Sequence, residues 1–265
     1  MSKTRIAING AAGRMGKRLV ALGAADAELE IAAALEFAQH PEIGTDAGLV
    51  AGIGEIGVPI SAALDANVDA AIDFSLPAGA EAITRMCIDG AIPLVMATTG
   101  LTDEQKKLIT AAAEKVAVVW APNMSMAVNL TMKLAATAAE ILKDNPNGAD
   151  VEIIERHHRF KKDAPSGTAL HFGKIIADIM GQGKHTHGRE GLVGERPRDE
   201  IGYHALRVGD NPGEHTIVFG MLGETIELTV RATNRDCYAL GALAAAKFAA
   251  KQTSGLYGMD DVLGL

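Results

Sequence analysis

The sequence predicts an α/β protein: an N-terminal parallel sheet flanked by helices, followed by an α+β C-terminal domain built on a mixed sheet. Three observations carry this. Short apolar runs and helical patterns alternate through the first 120 residues, as in a parallel sheet covered on both faces. A glycine turn, Gly10-Ala11-Ala12-Gly13-Arg14-Met15-Gly16, separates the first run from the first helical pattern. After Asn123 the alternation gives way to consecutive strand patterns with no helix between them.

In order, residues 5–9 read as a strand and 14–23 as the helix that follows. Residues 30–35 form a second strand, and a Gly-rich loop occupies 43–57. A strand at 70–74 leads to a helix starting near Pro77, then to a strand at 92–96. A helix over 102–115, with Asp103 and Glu104 suited to its positive N-terminal end, runs into a strand at 116–120. In the second half, a long apolar helix at 126–143 is stopped by Asn145-Pro146-Asn147-Gly148. A strand at 151–157, a helix at 166–180 and a glycine- and charge-rich loop at 181–202 follow. Residues 203–208, 214–221 and 225–232 read as strands, the last two joined by the short Leu222-Gly223-Glu224 connection. An Ala-rich helix at 237–250 closes the pattern.

Composition excludes several function classes. The 265 residues are 48% hydrophobic and 22% charged, the balance of an ordinary globular protein that needs no metal or disulfide to fold. A net charge of −8 repels nucleic acid and anionic membranes, and aromatics at 4% leave little for base stacking. No apolar run approaches ~18 residues, and the N-terminus lacks a signal-peptide pattern, so a cytoplasmic location is expected. Cys87 and Cys237 form no paired motif and read as buried thiols. His185 and His187 lack further ligands nearby, so no metal is expected.

The glycine turn has the spacing G-x-x-G-x-x-G, a variant of the dinucleotide fingerprint. Small residues let the backbone approach a pyrophosphate, and the amides at the helix start supply partial positive charge. Glu36 stands about twenty residues past Gly16, where a carboxylate accepts hydrogen bonds from an adenosine ribose. Phe37 follows, so no basic residue adjoins the acid; taken alone this pair favours NADH. Arg14 and Lys17 are the nearby cations for a 2′-phosphate. Two further turns follow strand patterns, Ala97-Thr98-Thr99-Gly100 and Ala121-Pro122-Asn123-Met124-Ser125, where open α/β sheets place their ligands.

The segment Arg156-His157-His158-Arg159-Phe160-Lys161-Lys162 holds four Lys/Arg, two His and no acid. In an acidic chain this is a local site for an anion. Pro165-Ser166-Gly167-Thr168 follows, with the proline read as starting a helix. The Gly167 and Thr168 amides then form a carboxylate or phosphate cradle. Histidine and a lysine in a cationic site can both transfer protons. These residues alone leave open another dinucleotide-dependent reductase of an amino-acid-derived dicarboxylate, or a non-catalytic dinucleotide sensor.

With these motifs in hand, the sequence resembles the dihydrodipicolinate reductase family over essentially its whole length. The glycine turn and residues 152–169 carry the likeness most specifically, supported by Gly213-Glu214-His215-Thr216 and Gly255-Leu256-Tyr257. The resemblance implies a Rossmann-type dinucleotide-binding domain at 1–125, to which residues 236–265 return. It implies a substrate-binding and oligomerisation domain at 126–235, a homotetramer, and NADH- or NADPH-dependent reduction of a small cyclic imine dicarboxylate. By motif, His157 and Lys161 would transfer protons. His158, Ser166, Gly167 and Thr168 would hold substrate carboxylates. Gly10, Ala11, Ala12, Gly13, Arg14, Met15, Glu36, Phe37, Ala97, Thr98, Thr99, Ala121, Pro122, Asn123 and Met124 would line the cofactor. Phe37 departs from members that carry Arg or Lys there, and Met124 stands where some carry an aromatic.

Overall fold

A computed structural model describes residues 2–265. The chain divides into two compact units. The first runs to Met126 and takes up Arg235–Leu265; the second is Ala127–Asn234.

The first unit is a seven-stranded parallel sheet. Its strands are β1 (Thr4–Asn9), β2 (Leu29–Leu35), β3 (Ile60–Ser61), β4 (Ala70–Asp73), β5 (Leu94–Met96), β6 (Ala117–Trp120) and, from the C-terminus, β12 (Gly255–Tyr257). Their order is β12-β6-β5-β4-β1-β2-β3, so the connections reverse direction at β1. Side chains of β1 alternate between two cores, as the period of 2 requires. Ile6 and Ile8 pack with α1 (Arg14–Ala25) and α7 (Asp236–Ala249). Ala7 faces the other core, with α3 (Pro77–Gly90) and α4 (Asp103–Ala112). Each fully buried isoleucine contributes about 1.5–3 kcal/mol.

Local signals explain the helix starts. Pro77 takes the first turn of α3, where its missing N–H has no partner to lose. Thr102 and Gln105 close a reciprocal capping box on α4, and Asp103 and Glu104 occupy its first turn as expected. The Gly-rich loop at 43–57 contains an unforeseen short helix, α2 (Ala47–Ala51). The Asp46 carboxylate organises it, accepting from the amides of Gly48, Leu49, Ile56 and Val58.

The C-terminal segment is tied into the first unit by specific contacts. Arg18 donates two hydrogen bonds to Asp236 at 2.6 and 2.9 Å, and Lys247 pairs with Asp26 and Glu28. A Cβ on Gly241 would lie 1.7 Å from the Met124 carbonyl oxygen, so only glycine allows α7 to approach that backbone. Cys87 is buried, as read from sequence, but Cys237 at the start of α7 is only half-buried.

The second unit is a five-stranded mixed sheet of order β11-β10-β7-β9-β8. Its strands are β7 (Asp150–His157), β8 (Lys184–His187), β9 (Glu200–Arg207), β10 (Gly213–Met221) and β11 (Glu224–Ala232). β10 is antiparallel to β7 and β11, whereas β7 and β8 are parallel to β9. Two helices, α5 (Met126–Leu142) and α6 (Gly167–Met180), bury one face through Val128, Met132, Phe172 and Ile176 against Val151, Ile153, Ile217 and Phe219. The opposite face carries Ile154, Leu206, Thr216 and Val218. An eighth helix, α8 (Met259–Leu263), ends the chain in the first unit.

Candidate active site

In the first unit, all the residues expected at a cofactor follow the carboxyl ends of parallel strands. Gly10 to Met15 follow β1, Glu36 and Phe37 follow β2, Ala97 to Thr99 follow β5, and Ala121 to Met124 follow β6. Gly10 has φ +81° and lies against the Phe74 carbonyl, where a Cβ would come within 2.9 Å. Gly16 has a different task. A Cβ there would sit 2.1 Å from the Gly10 oxygen, so its absence lets α1 pack down on the turn.

The turn's own amides are largely engaged. Gly10 and Ala11 donate to the Leu35 carbonyl, Ala12 to Glu36 Oε1 at 3.1 Å, and Gly13 to the Gly10 carbonyl. Gly13, the N-cap of α1, has no side chain to offer the first turn. The amides of Arg14 and Met15 are therefore the ones suited to a pyrophosphate. Glu36 is anchored at the turn by one oxygen. Phe37 beside it is 60% exposed and meets His40 edge-to-face at 5.1 Å. Met124 is buried in the core, so it can reach a cofactor only through its backbone.

A carboxylate that sequence reasoning did not single out joins three of these strand ends. Asp73 is fully buried at the end of β4. It accepts from Asn9 Nδ2 and Thr98 Oγ1, each at 2.7 Å, and from the Ser75 amide at 3.2 Å. Burial raises its pKa against the pull of these hydrogen bonds. The legible signal was its place at a strand end among small polar residues.

In the second unit the signature segment folds into one cluster. His157 ends β7, His158 and Lys161 lie in the following loop, and Ser166 caps α6. Proline does not start the helix as expected. Pro165 lies one residue before the cap and follows a cis Ala164–Pro165 bond. Gly167 and Thr168 are the first two helical residues, and space beside Gly167 is open. Ser166 enters as a cap rather than a free hydroxyl. Its Oγ accepts from the Ala169 amide and pairs with His215 Nε2 at 3.1 Å.

The alternation that buries Val151 and Ile153 also buries Glu155 and His157 on the same face of β7. Glu155 is 1% exposed, and four donors converge on it. His157 Nδ1 lies 2.5 Å from Oε2, and the Ser166 amide donates to Oε1 at 3.1 Å. Arg207 from β9 donates to both oxygens, at 2.8 and 2.7 Å. Burial alone would push the Glu155 carboxyl up. Hydrogen bonds from His157 and Arg207 outweigh that and hold it at about 2. His215 lies edge-to-face on His157 at 5.3 Å. Burial, reinforced by the His157 charge, pushes the His215 pKa down to about 4.

The basic run is less uniformly positive than its sequence. Arg156 pairs with Glu214 at 3.6 Å, and Lys161 with Asp163 at 2.9 Å. Among the described residues, Arg159 and Lys162 form no ion pair. His158 Nδ1 is buried without a hydrogen-bond partner, as expected of a group that awaits a ligand. Sequence reasoning missed Glu155, Arg207 and Asp163 and gave His215 no role. Glu155 was detectable as an acid two residues before His157 on a strand's buried face. The Arg207 contact depends on long-range pairing of β7 with β9.

No group of three or more His, Cys, Asp or Glu able to hold a metal occurs among the described residues, nor any helix long and apolar enough to cross a membrane.

Comparison with known proteins finds one family over both halves of the chain. The family model described as dihydrodipicolinate reductase, N-terminus, matches residues 4–124, and that for the C-terminus matches residues 127–263. A 4-hydroxy-tetrahydrodipicolinate reductase from Rhodopirellula baltica is 57% identical, covering 98% of this chain and 96% of the relative. One from Alkalilimnicola ehrlichii is 47% identical over 99% of both chains. A solved structure of dipicolinate-bound dihydrodipicolinate reductase from Paenisporosarcina sp. TG-14 is 28% identical, with a TM-score of 0.78 over 98% of this chain and 99% of that one. On both halves of its length, this chain belongs to the dihydrodipicolinate reductase family.

Proposed function

We infer that the N-terminal unit holds NADH or NADPH and that the C-terminal unit binds the substrate and moves its proton. The reaction is that of the family. The chain is an NAD(P)H-dependent oxidoreductase that reduces 4-hydroxy-tetrahydrodipicolinate, a cyclic imine dicarboxylate, to tetrahydrodipicolinate in lysine and diaminopimelate biosynthesis. One hydride and one proton are consumed, and the 4-hydroxyl oxygen leaves as water. The observation that carries the reading is the cluster in which His157 and the Ser166 cap of α6 are held on one buried carboxylate, Glu155.

The dinucleotide, when bound, supplies the hydride. Around it, the Arg14 and Met15 amides at the start of α1 meet the pyrophosphate. Glu36 accepts from ribose hydroxyls, with the exposed Phe37 beside it. Gly10, Ala11, Ala12 and Gly13 allow close approach. Ala97, Thr98 and Thr99, with Ala121, Pro122, Asn123 and the Met124 backbone, line the remaining length. Asp73 fixes the Thr98 turn against β1. Glu36 followed by Phe37 favours NADH, and Arg14 and Lys17 are the cations available to a 2′-phosphate.

A dicarboxylate needs two anion holders. The Gly167 and Thr168 amides form one, at the positive end of α6. His158, whose buried Nδ1 has no other partner, forms the second. The dipicolinate in the Paenisporosarcina relative is a dicarboxylate of this class. Negative charge that develops on the substrate during reduction is met by His157, Lys161 and the α6 dipole. His157 donates its Nε2 proton to the substrate, and Lys161 serves as a second donor.

The working state is proposed to be a cytoplasmic homotetramer. The sheet face carrying Ile154, Leu206 and Val218 lies opposite α5 and α6 and suits a second copy. Sedimentation velocity reads the assembly directly. Function is tested by oxidation of NADH and NADPH at 340 nm with freshly generated product of dihydrodipicolinate synthase. Substrate-dependent oxidation is expected, faster with NADH. Tight NADH binding without turnover would favour the sensor reading instead.

A further inference from the structure

We propose that Glu155 is a positioning residue for proton transfer: its buried carboxylate fixes the His157 ring and registers it against the start of α6. The proposal rests on His157 being the proton-transferring group. Its basis is the division of labour between the two oxygens. Oε2 takes His157 Nδ1 at 2.5 Å and Arg207 Nη1 at 2.8 Å. Oε1 takes the Ser166 amide at 3.1 Å and Arg207 Nη2 at 2.7 Å. The Ser166 amide and both Arg207 nitrogens can only donate, and the ionised carboxylate that they hold can only accept. His157 Nδ1 therefore carries its hydrogen toward Glu155, and Nε2 is the nitrogen left for the substrate.

This arrangement serves both states of the ring. As imidazolium, His157 faces a full negative charge. When Nε2–H breaks and its proton passes to the substrate, the ring becomes neutral with Nδ1–H still held by Glu155. No flip is needed before solvent restores the proton. The same carboxylate grips the Ser166 amide, so the proton donor and the Gly167–Thr168 anion cradle share one anchor. Arg207 sits behind the carboxylate and shares its charge. The other ring against it is His215 from β10, kept neutral by burial, and the Lys161 charge, itself paired with Asp163, is felt at His215.

The test uses the full-length enzyme with NADH and substrate, measuring kcat and KM from pH 5.5 to 9. Glu155→Gln is expected to lower kcat about tenfold or more, with the KM for NADH within about twofold of wild type. It should also move the alkaline limb of the kcat profile about 1 pH unit lower, because the proton donor loses its counter-charge. Arg207→Gln should move that limb the other way, since the carboxylate then faces His157 alone. Removing one member of a buried pair threatens folding, so Glu155→Gln/Arg207→Gln, which leaves no uncompensated charge, is measured as well. Its limb should stay below wild type. An unmoved limb in Glu155→Gln, or a wild-type profile in the double variant, would overturn the proposal. His157→Ala separates the two levels. Wild-type turnover in His157→Ala would sink the reading of His157 itself. Loss of turnover there, with a wild-type profile in Glu155→Gln, would sink the Glu155 role alone.

Discussion

Acidification from pH 7 to pH 5 is expected to destabilise the fold by about 2 kcal/mol through His215 alone. This ring is buried between His157, Phe172 and the Ser166 hydroxyl, and its pKa falls from 6.5 to about 4 on folding. The unfolded chain therefore binds a proton below pH 6.5 that the folded chain refuses until about pH 4. Stability is fully present above pH 6.5, is lost as pH falls through that window, and levels off below it. At about 1.4 kcal/mol per pH unit, the roughly 1.5 units between pH 6.5 and pH 5 give about 2 kcal/mol. Glu152, Glu155 and Glu200 do not contribute there. Their folded values of about 2 lie below an unfolded 4.5, so their stabilisation is lost only under more acid conditions. The perturbation is His215→Gln, which keeps a hydrogen-bonding group beside Ser166 without the titration. Urea unfolding at pH 7, 6 and 5, at fixed protein concentration, should show wild type losing about 2 kcal/mol more than the variant across the range. Parallel pH dependence in the two proteins would refute the assignment of a buried neutral ring.

The other perturbations separate the two halves of the machinery. Gly16→Ala puts a Cβ 2.1 Å from the Gly10 oxygen, so NADH affinity in a fluorescence titration should fall about tenfold or more. Phe37→Arg places a cation beside the adenosine end of the site. The ratio of kcat/KM for NADPH to that for NADH should rise about tenfold, as expected of one charge-assisted contact. Lys161→Ala should lower kcat about 10²-fold while leaving NADH affinity intact; a rate near wild type would remove Lys161 from proton transfer.

The parts of this molecule that sequence made legible are those with local causes. The first-turn acids of α4, the strand β7 and the glycine turn each rest on a few neighbouring residues, and each lies where expected. Elements lacking an apolar signal stayed hidden. β8 is the polar edge strand Lys184–His187, inside what reads as a loop, and β12 is a three-residue strand whose place beside β6 is set by pairing across the chain. Pro165 misled because proline suits both a first helical position and the residue before a cap, and only the Ser166 hydroxyl bond to Ala169 decides between them. In the site, His157, His158 and Lys161 were visible as a basic run in an acidic chain. The acids that tame that run come from elsewhere or from the other side of a motif. Glu214 reaches Arg156 from β10, and Glu155 is balanced by Arg207 from β9, pairings that no local pattern announces.

Proton chemistry is assigned to the β7–α6 cluster and dinucleotide binding to the glycine-turn unit. One preparation of His157→Ala, measured both for substrate-dependent NADH oxidation at 340 nm and for the dissociation constant for NADH, separates the two. Turnover should fall about 10²-fold or more, with NADH affinity within about twofold of wild type. Equal losses of turnover and cofactor affinity, or turnover at the wild-type rate, would contradict this assignment.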